Sequence, residues 1–498
     1  MEFSIICIAD LTYLTSSHCE IDTFFFQDHL DEQTLLRLKE QMLAISKGRS
    51  IANPRGTIMT QTVKTLKRGN RRSAPQTKES IAMNKLSHVK LSEEQQQLRD
   101  KILQFTRKNL SSFKQGDPPA MFVIEGDAGT GKSVILNSLF NEIQKLATTT
   151  NKNDTLSGTQ NYLIVNHPEM LKLYLRICNS FKYIKRTSLE RPTSLINKLQ
   201  KDGQMADIII IDEAHLLATS KDAFKRFYGD NHLNELLSLG KVLIIVYDAK
   251  QALRMGSYWD ENTKNGASLQ YYYKDIPESK KEWYTLRQQF RVAAPKDVLN
   301  WIDQISTVGT IPPFPQSVKS KDKIEPPFDF KIWDDCGDMY EALREKNEKY
   351  GQCRMLSTYD FPYRLDGKDY YVTCGDNFRV RWDRYTPREQ LPWSERETFD
   401  EVGSVYTIQG FDLNYAGVIL GRSVGYDSQN DCIKLKPELY DDRAGFTKKK
   451  NITNADDVKM KIIMNSVNVL LTRGVKGLYV YVYDPELRER LHNSKYQS

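Results

Sequence analysis

Residues 122–134 read FVIEGDAGTGKSV: an apolar run, a glycine-rich turn, a lysine and a serine, then the start of an apolar stripe. Few folds accommodate that order. Gly126-Asp127-Ala128-Gly129-Thr130-Gly131-Lys132-Ser133 satisfies the pattern GxxxxGK[ST]. There a buried strand delivers a loop whose backbone amides curl round phosphate oxygens, at the positive end of the following helix. In such a loop Lys132 reaches the β and γ phosphates of a nucleoside triphosphate and Ser133 ligates Mg²⁺. The flanks supply what the pattern requires. AMFVIEG reads as a strand, and SVILNSLFNEIQKL as a helix with Ile135, Leu139, Ile143 and Leu146 on one face. The expected fold class is therefore α/β, a P-loop NTPase.

A second acidic element follows in ADIIIIDEAHLL. Asp212 ends a buried run and is placed to hold Mg²⁺ through water. Glu213 is placed to orient or deprotonate an attacking water. A base aimed at water implies hydrolysis, whereas a kinase aims its base at a bound hydroxyl.

NYLIVNH, ADIIIID and KVLIIVYD are short apolar runs without alternation, the pattern of parallel strands buried on both faces. A second series, FDFKIWDD, CRMLSTYD, YAGVILG and LYVYVYD, comes after TLRQQFRV. We expect two α/β lobes with parallel sheets, residues 91–275 and 276–490. Ahead of them come a small N-terminal element (1–45) and a basic linker (46–90). The proline-rich IPPFPQSVKSKDKIEPP is expected as a surface loop.

Charge matters only in the linker. Residues 46–90 hold eleven Lys/Arg against one acid, Glu79, a net of +10, which leaves the rest of the chain at −3. The linker's charge suits phosphates, and its Ser/Thr/Gly/Pro content suits a solvated connector. The seven cysteines are scattered with no CxxC spacing, as in a reduced cytoplasmic protein. No apolar run reaches the ~18 residues of a membrane helix, so no membrane partner is expected.

In order along the chain, these residues resemble superfamily 1 helicases. LSEEQ, ending in Gln95, is similar to their adenine-reading element. YLIVNHPE, with Asn166 and His167, falls where their strand-contacting motif Ia lies. Tyr247-Asp248-Ala249-Lys250-Gln251 resembles GDxxQ, whose glutamine senses the γ-phosphate. In Leu286-Arg287-Gln288-Gln289-Phe290-Arg291 the resemblance implies that Phe290 stacks near adenine and Arg291 reaches the γ-phosphate. SVYTIQGFDLNYAGVILG resembles motif V, with Thr407, Gln409, Gly410 and, at a ribose contact, Asp412. NVLLTRGVKGLYVYVYD resembles motif VI and implies Arg473 as a second arginine finger. The wording of the last two is most similar to the helicase domain of group III Schlafen proteins and related bacterial and phage ATPases.

The resemblance implies two RecA-like lobes with an ATP cleft between them, ATP and Mg²⁺ as cofactors, and DNA or RNA as partner. Only 78 residues separate Ser133 from Asp212, a near-minimal motor without a large duplex-splitting insertion. Three readings stay open. The first is a nucleic-acid-dependent ATPase that translocates, remodels or unwinds. The second is a P-loop switch acting on a protein partner, in antiviral or phage-related defence. The third is a phosphotransferase, against which Glu213 and the paired arginines count. Trp301, Tyr359, Tyr363 and Trp382 are assigned to packing rather than base stacking.

Overall fold

A computed structural model describes residues 90–493 of the chain, except 128, 150–152, 223–225, 260–267, 287–293, 316–327, 365, 384–390, 397–398, 448–451 and 453. The N-terminal element, nearly all of the basic linker, Ala128, Phe290 and Arg291 lie outside the described residues.

The first lobe begins with α1 (Glu93–Ser111), opened by a capping box in which Ser92 and Gln95 exchange side-chain and backbone hydrogen bonds. Then follow β1 (Ala120–Gly126), α2 (Lys132–Ala147), β2 (Asn161–Val165), α3 (Pro168–Ile177), β3 (Leu189–Glu190) and α4 (Pro192–Asp202). The lobe continues with β4 (Ala206–Asp212), α5 (His232–Leu239), β5 (Gly240–Tyr247), α6 (Leu269–Asp275) and β6 (Lys281–Leu286). These strands form one parallel sheet in the order β3-β2-β4-β5-β1-β6. Ile208 to Ile211 are wholly buried, as strands covered by helices on both faces must be. The order sets β5 between β4 and β1, so three loops leave the carboxyl edge of the sheet side by side. That edge is where open α/β sheets bind ligands.

The expected lobe boundary at 275 is corrected by β6. Leu286 is in register with Gly126, so the strand opening LRQQFR completes the first sheet instead of starting the second. Of its residues only Leu286 is buried, with Thr285 exposed and the other four partly buried, as befits an edge strand.

The second lobe comprises α7 (Lys296–Asp303), β7 (Asp329–Trp333), α8 (Cys336–Tyr350), β8 (Cys353–Ser357), β9 (Tyr371–Cys374), β10 (Phe378–Trp382) and β11 (Glu401–Gly403). It ends with α9 (Val405–Ile408), β12 (Leu413–Leu420), β13 (Val424–Asp427), β14 (Cys432–Leu435), α10 (Ala455–Leu471), β15 (Gly474–Val482) and α11 (Pro485–Asn493). Its sheet runs β7-β15-β12-β8-β11-β10-β9. It is parallel, as expected, with the β9–β10 hairpin as its one antiparallel pair. Trp301 and Trp382 are core residues, while Tyr359 and Tyr363 pack against a core cluster.

The lobes share an interface with apolar and polar parts. One apolar cluster runs through Met170 and Leu253 of the first lobe and Val405, Ile408 and Phe411 of the second. Around it Tyr406 Oη donates to Leu253 O (3.2 Å), Asn465 Nδ2 to Ala252 O (2.8 Å) and Met255 N–H to Gly445 O (2.9 Å). The Trp393 N–H donates to Glu169 Oε2 (2.9 Å), and Arg176 pairs with Glu395 (3.2 Å). Gly410 lies directly against the first lobe: with φ +85°, a Cβ there would stand 2.8 Å from Met170 Cγ. Only glycine fits that turn. No helix among the described residues is long and apolar enough to cross a membrane.

Candidate nucleotide site

The glycine-rich loop leaves β1 and turns into α2 through two residues with positive φ, Gly129 (91°) and Gly131 (82°). Both angles are open to glycine at little cost. Thr130 is buried and its hydroxyl donates to Asp127 O (2.9 Å), which pins the loop across its base. Lys132, the first residue of α2, folds back into the loop. Its ammonium donates to Gly126 O (2.5 Å), Asp127 O (2.8 Å) and Asp248 Oδ2 (3.1 Å). Ser133 follows on the same helix turn, half-buried.

Asp248 leaves β5 between the other two loops. Besides Lys132 it accepts from Gln251 Nε2 (2.6 Å) and the Lys250 N–H (3.1 Å). Burial opposes its charge, but Lys132 and then His215 outweigh it, so its carboxyl is held below the usual range. Neither Asp248 nor His215 was singled out from the sequence. The likeness of Tyr247–Gln251 to GDxxQ marks Asp248 only by position, and its pairing with Lys132 is a contact across 116 residues.

Asp212, wholly buried at the end of β4, accepts from Tyr174 Oη (3.1 Å) and the Glu213 N–H (3.0 Å). Burial, then the charge of Glu213, pushes its carboxyl up to about 7. Burial also works against charge on Glu213, but His215, which also hydrogen-bonds it, and then Lys132 prevail and draw it down. Glu213 adopts φ 52°, a left-handed conformation uncommon outside glycine. Such strain at a buried carboxylate is a feature of functional sites.

Around Glu213 the lobes meet. His215 Nε2 stands 3.0 Å from Glu213 Oε2 and 3.1 Å from Gln409 Nε2 of the second lobe. Gln409 Nε2 also donates to Gln251 O (3.0 Å). A continuous buried series thus joins Lys132, Asp248, Gln251, Gln409, His215 and Glu213, with Gln409 as its second-lobe member. Lys250 makes a more exposed bridge, to Asp127 of the loop (3.2 Å) and Asp303 of α7 (3.1 Å). With its ammonium 35% exposed, that bridge is worth roughly 0–1 kcal/mol. The burial of Met170, Leu253, Val405 and Ile408 outweighs it, since each such side chain contributes ~1.5–3 kcal/mol.

The other expected site residues are distributed as follows. Gln95 is buried in the capping box of α1, its Oε1 taking the Ser92 N–H (3.0 Å). His167 caps α3, and burial lowers its imidazole to about 4. Asp412 is buried between the Gly410 turn and β12. Arg473 is wholly buried, and its guanidinium donates to Val469 O (2.6 Å) and Phe411 O (3.2 Å) inside its own lobe. The carbonyls at the end of α10 lack helical partners, and a cation seated there satisfies them.

The residues fit a magnesium–nucleotide pair. Mg²⁺ keeps most of its waters and takes one or two protein oxygens beside phosphate, and here one hydroxyl (Ser133) and one carboxylate (Asp212) are on offer. Among the described residues no group of three or more His, Cys, Asp or Glu could form an all-protein metal cage. The raised Asp212 is the kind of carboxyl that a nearby cation stabilises in its charged form.

A family model described as the Schlafen group 3 DNA/RNA helicase domain matches residues 119–484. The uncharacterized protein YPL245W of Saccharomyces cerevisiae (strain ATCC 204508 / S288c) is 71% identical over 448 residues, 88% of this chain and 98% of its own. Among solved structures, that of C. elegans PCH-2 shares 13% identity over 49% of this chain and 58% of that one, with a TM-score of 0.23. A likeness that low bears on neither fold nor function.

Proposed function

The chain belongs to the Schlafen group 3 DNA/RNA helicase domain family, and on that premise we propose that it hydrolyses ATP and couples the reaction to movement on DNA or RNA. Lys132 grips the β and γ phosphates, exchanging its bonds to Gly126 O, Asp127 O and Asp248 for phosphate oxygens. Ser133 and Asp212 would hold Mg²⁺, which would supply charge neutralisation on the transferred phosphoryl group. Glu213 takes the proton of the attacking water. Gln251, bonded to Asp248, registers whether Lys132 is engaged. Arg291 and Arg473 are assigned to the charge that develops on phosphate, Arg473 after exchanging Val469 O and Phe411 O for it. Gln95 and Phe290 are assigned to adenine and Asp412 to ribose.

The observation that carries this reading is the buried series from Lys132 to Glu213 through Gln409. It ties the phosphate-gripping lysine and the hydrolytic base to the second lobe, the connection a nucleotide needs to shift a two-lobed protein between arrangements. A phosphotransferase has no use for a base aimed at water beside the phosphate loop. The test is ATP turnover with no polymer, single-stranded DNA, duplex DNA and RNA. Many-fold stimulation by one polymer supports the motor. Turnover unchanged by all of them points instead to a switch acting on a protein partner.

A further inference from the structure

At Lys250 the glycine-rich loop, the loop after β5 and the second lobe come together. Its backbone N–H donates to Asp248 Oδ1 (3.1 Å), while the other oxygen of that carboxylate pairs with Lys132 (3.1 Å). Its ammonium donates to Asp127 Oδ2 (3.2 Å) in the glycine-rich loop and to Asp303 Oδ1 (3.1 Å) at the end of α7. Asp127 is held a second time through its backbone carbonyl, which accepts from Lys132 Nζ (2.8 Å) and Thr130 Oγ1 (2.9 Å). Asp303 Oδ1 also accepts from the Thr307 hydroxyl (3.0 Å), one turn further on. One cation thus stands between two carboxylates, one from each lobe. Partial burial opposes its charge, but Asp127 and then Asp303 outweigh that, so the ammonium is held above the usual lysine range. All three side chains reach solvent, which puts this bridge at the rim of the glycine-rich loop and apart from the buried series.

The signs of the charges make the arrangement more than a surface pair. Without the ammonium, Asp127 and Asp303 become like charges on either side of the lobe boundary, and they repel. An exposed bridge is too weak to decide whether the lobes meet, which the apolar contacts at Met170, Leu253, Val405 and Ile408 settle. It is strong enough to change a rate several-fold, and salt screens it.

We infer that Lys250 is a positioning residue that latches the second lobe to the rim of the glycine-rich loop, and that the parting of this latch paces the release of nucleotide. The inference rests on the reading of residues 126–133 as a phosphate loop. It adds that the second lobe governs exchange through one shared ammonium.

Stopped-flow release of a fluorescent ADP analogue from the full chain tests it, with Mg²⁺ present and unlabelled ADP as the chase. Release from the wild type should quicken as salt is raised from ~0.05 to ~0.5 M, because the bridge is screened. Lys250→Met should release the analogue ~2–10-fold faster at low salt, the range that two exposed pairs cover, and should respond less to salt. Asp303→Asn leaves the glycine-rich loop untouched and should move release the same way by a smaller factor. In the Lys250→Met background, Asp303→Asn should add no further acceleration, since the carboxylate it removes then has only a like charge for a neighbour. Two residues that serve the fold independently would instead give effects that multiply. Equal release rates in wild type and Lys250→Met, or multiplying effects in the double variant, overturn the inference and leave the phosphate-loop reading in place. Failure of the wild type to bind the analogue refutes that reading and takes the inference with it.

Discussion

Lys132 Nζ stands 3.1 Å from Asp248 Oδ2, and both side chains are almost fully buried, 7% and 2% exposed. The lysine that defines the phosphate loop is thus paired with a carboxylate from the neighbouring strand end. A buried pair broken on one side leaves the other charge uncompensated, at a cost of ~3–5 kcal/mol. Lys132→Ala is therefore expected to lose binding of a fluorescent ATP analogue and to unfold at lower denaturant. Normal nucleotide affinity in this variant would rule out the phosphate-loop assignment.

Glu213→Gln keeps the shape of the side chain and removes the base. The variant should bind the same analogue with near-wild-type affinity while turnover falls by ~10²–10⁴. Single-turnover measurements check this, and undiminished hydrolysis would take the role from Glu213.

Arg473 holds the ends of α10 and motif V together through Val469 O and Phe411 O. Arg473→Ala takes the guanidinium donor from Phe411 O and leaves Val469 O with the Thr472 hydroxyl (3.2 Å), and stability is expected to drop by ~1–3 kcal/mol in denaturant titration. A variant that loses turnover at unchanged stability would show that the guanidinium acts on nucleotide instead.

Gly410 has φ +85° and lies against Met170. Gly410→Ala adds both a backbone penalty of about 1 kcal/mol or more and a clash at the lobe interface. The melting temperature should fall, and small-angle scattering should report a larger radius of gyration as the lobes part. Combining it with Met170→Ala should restore part of the loss, since the clash is removed and the backbone penalty stays.

Asp383 is buried with φ 38°, accepts from Ser404 Oγ (2.9 Å), and burial pushes its carboxyl from 3.8 to about 6. The sign follows from linkage. Between those values the folded chain holds a proton that the unfolded chain has released, so stability is lost as pH rises from about 4 to 6 and is level above. Asparagine tolerates the same backbone and does not titrate. Asp383→Asn should therefore gain stability relative to wild type over that window. A difference that does not vary with pH would place the titration elsewhere.

What the sequence reveals and what it conceals divide along a physical line. ADIIIID, KVLIIVYD and YAGVILG are continuous apolar runs, and burial on both faces leaves that mark whatever the neighbours are. The glycine-rich loop is legible because its pattern is local, glycines and a lysine at fixed offsets. KEWYTL is not legible as a strand: it sits at a sheet edge, half covered, so nothing selects an apolar run. In the β9–β10 hairpin only β10, FRVRW, alternates charged and apolar residues, and the antiparallel pairing is set by a short turn. The roles of Asp248, His215 and Gln409 depend on partners many residues distant, which no spacing rule reports. Arg473 carries a motif that suggests phosphate, while its burial is decided by the carbonyls of Val469 and Phe411.

The register of β6 has a mechanical corollary. Leu286 ends that strand level with Gly126, the residue from which the phosphate loop springs. The strand that closes the first sheet therefore ends within one hydrogen-bonded rung of the glycine-rich loop, so any slide of β6 along its length is felt at Gly126 through a single register pair.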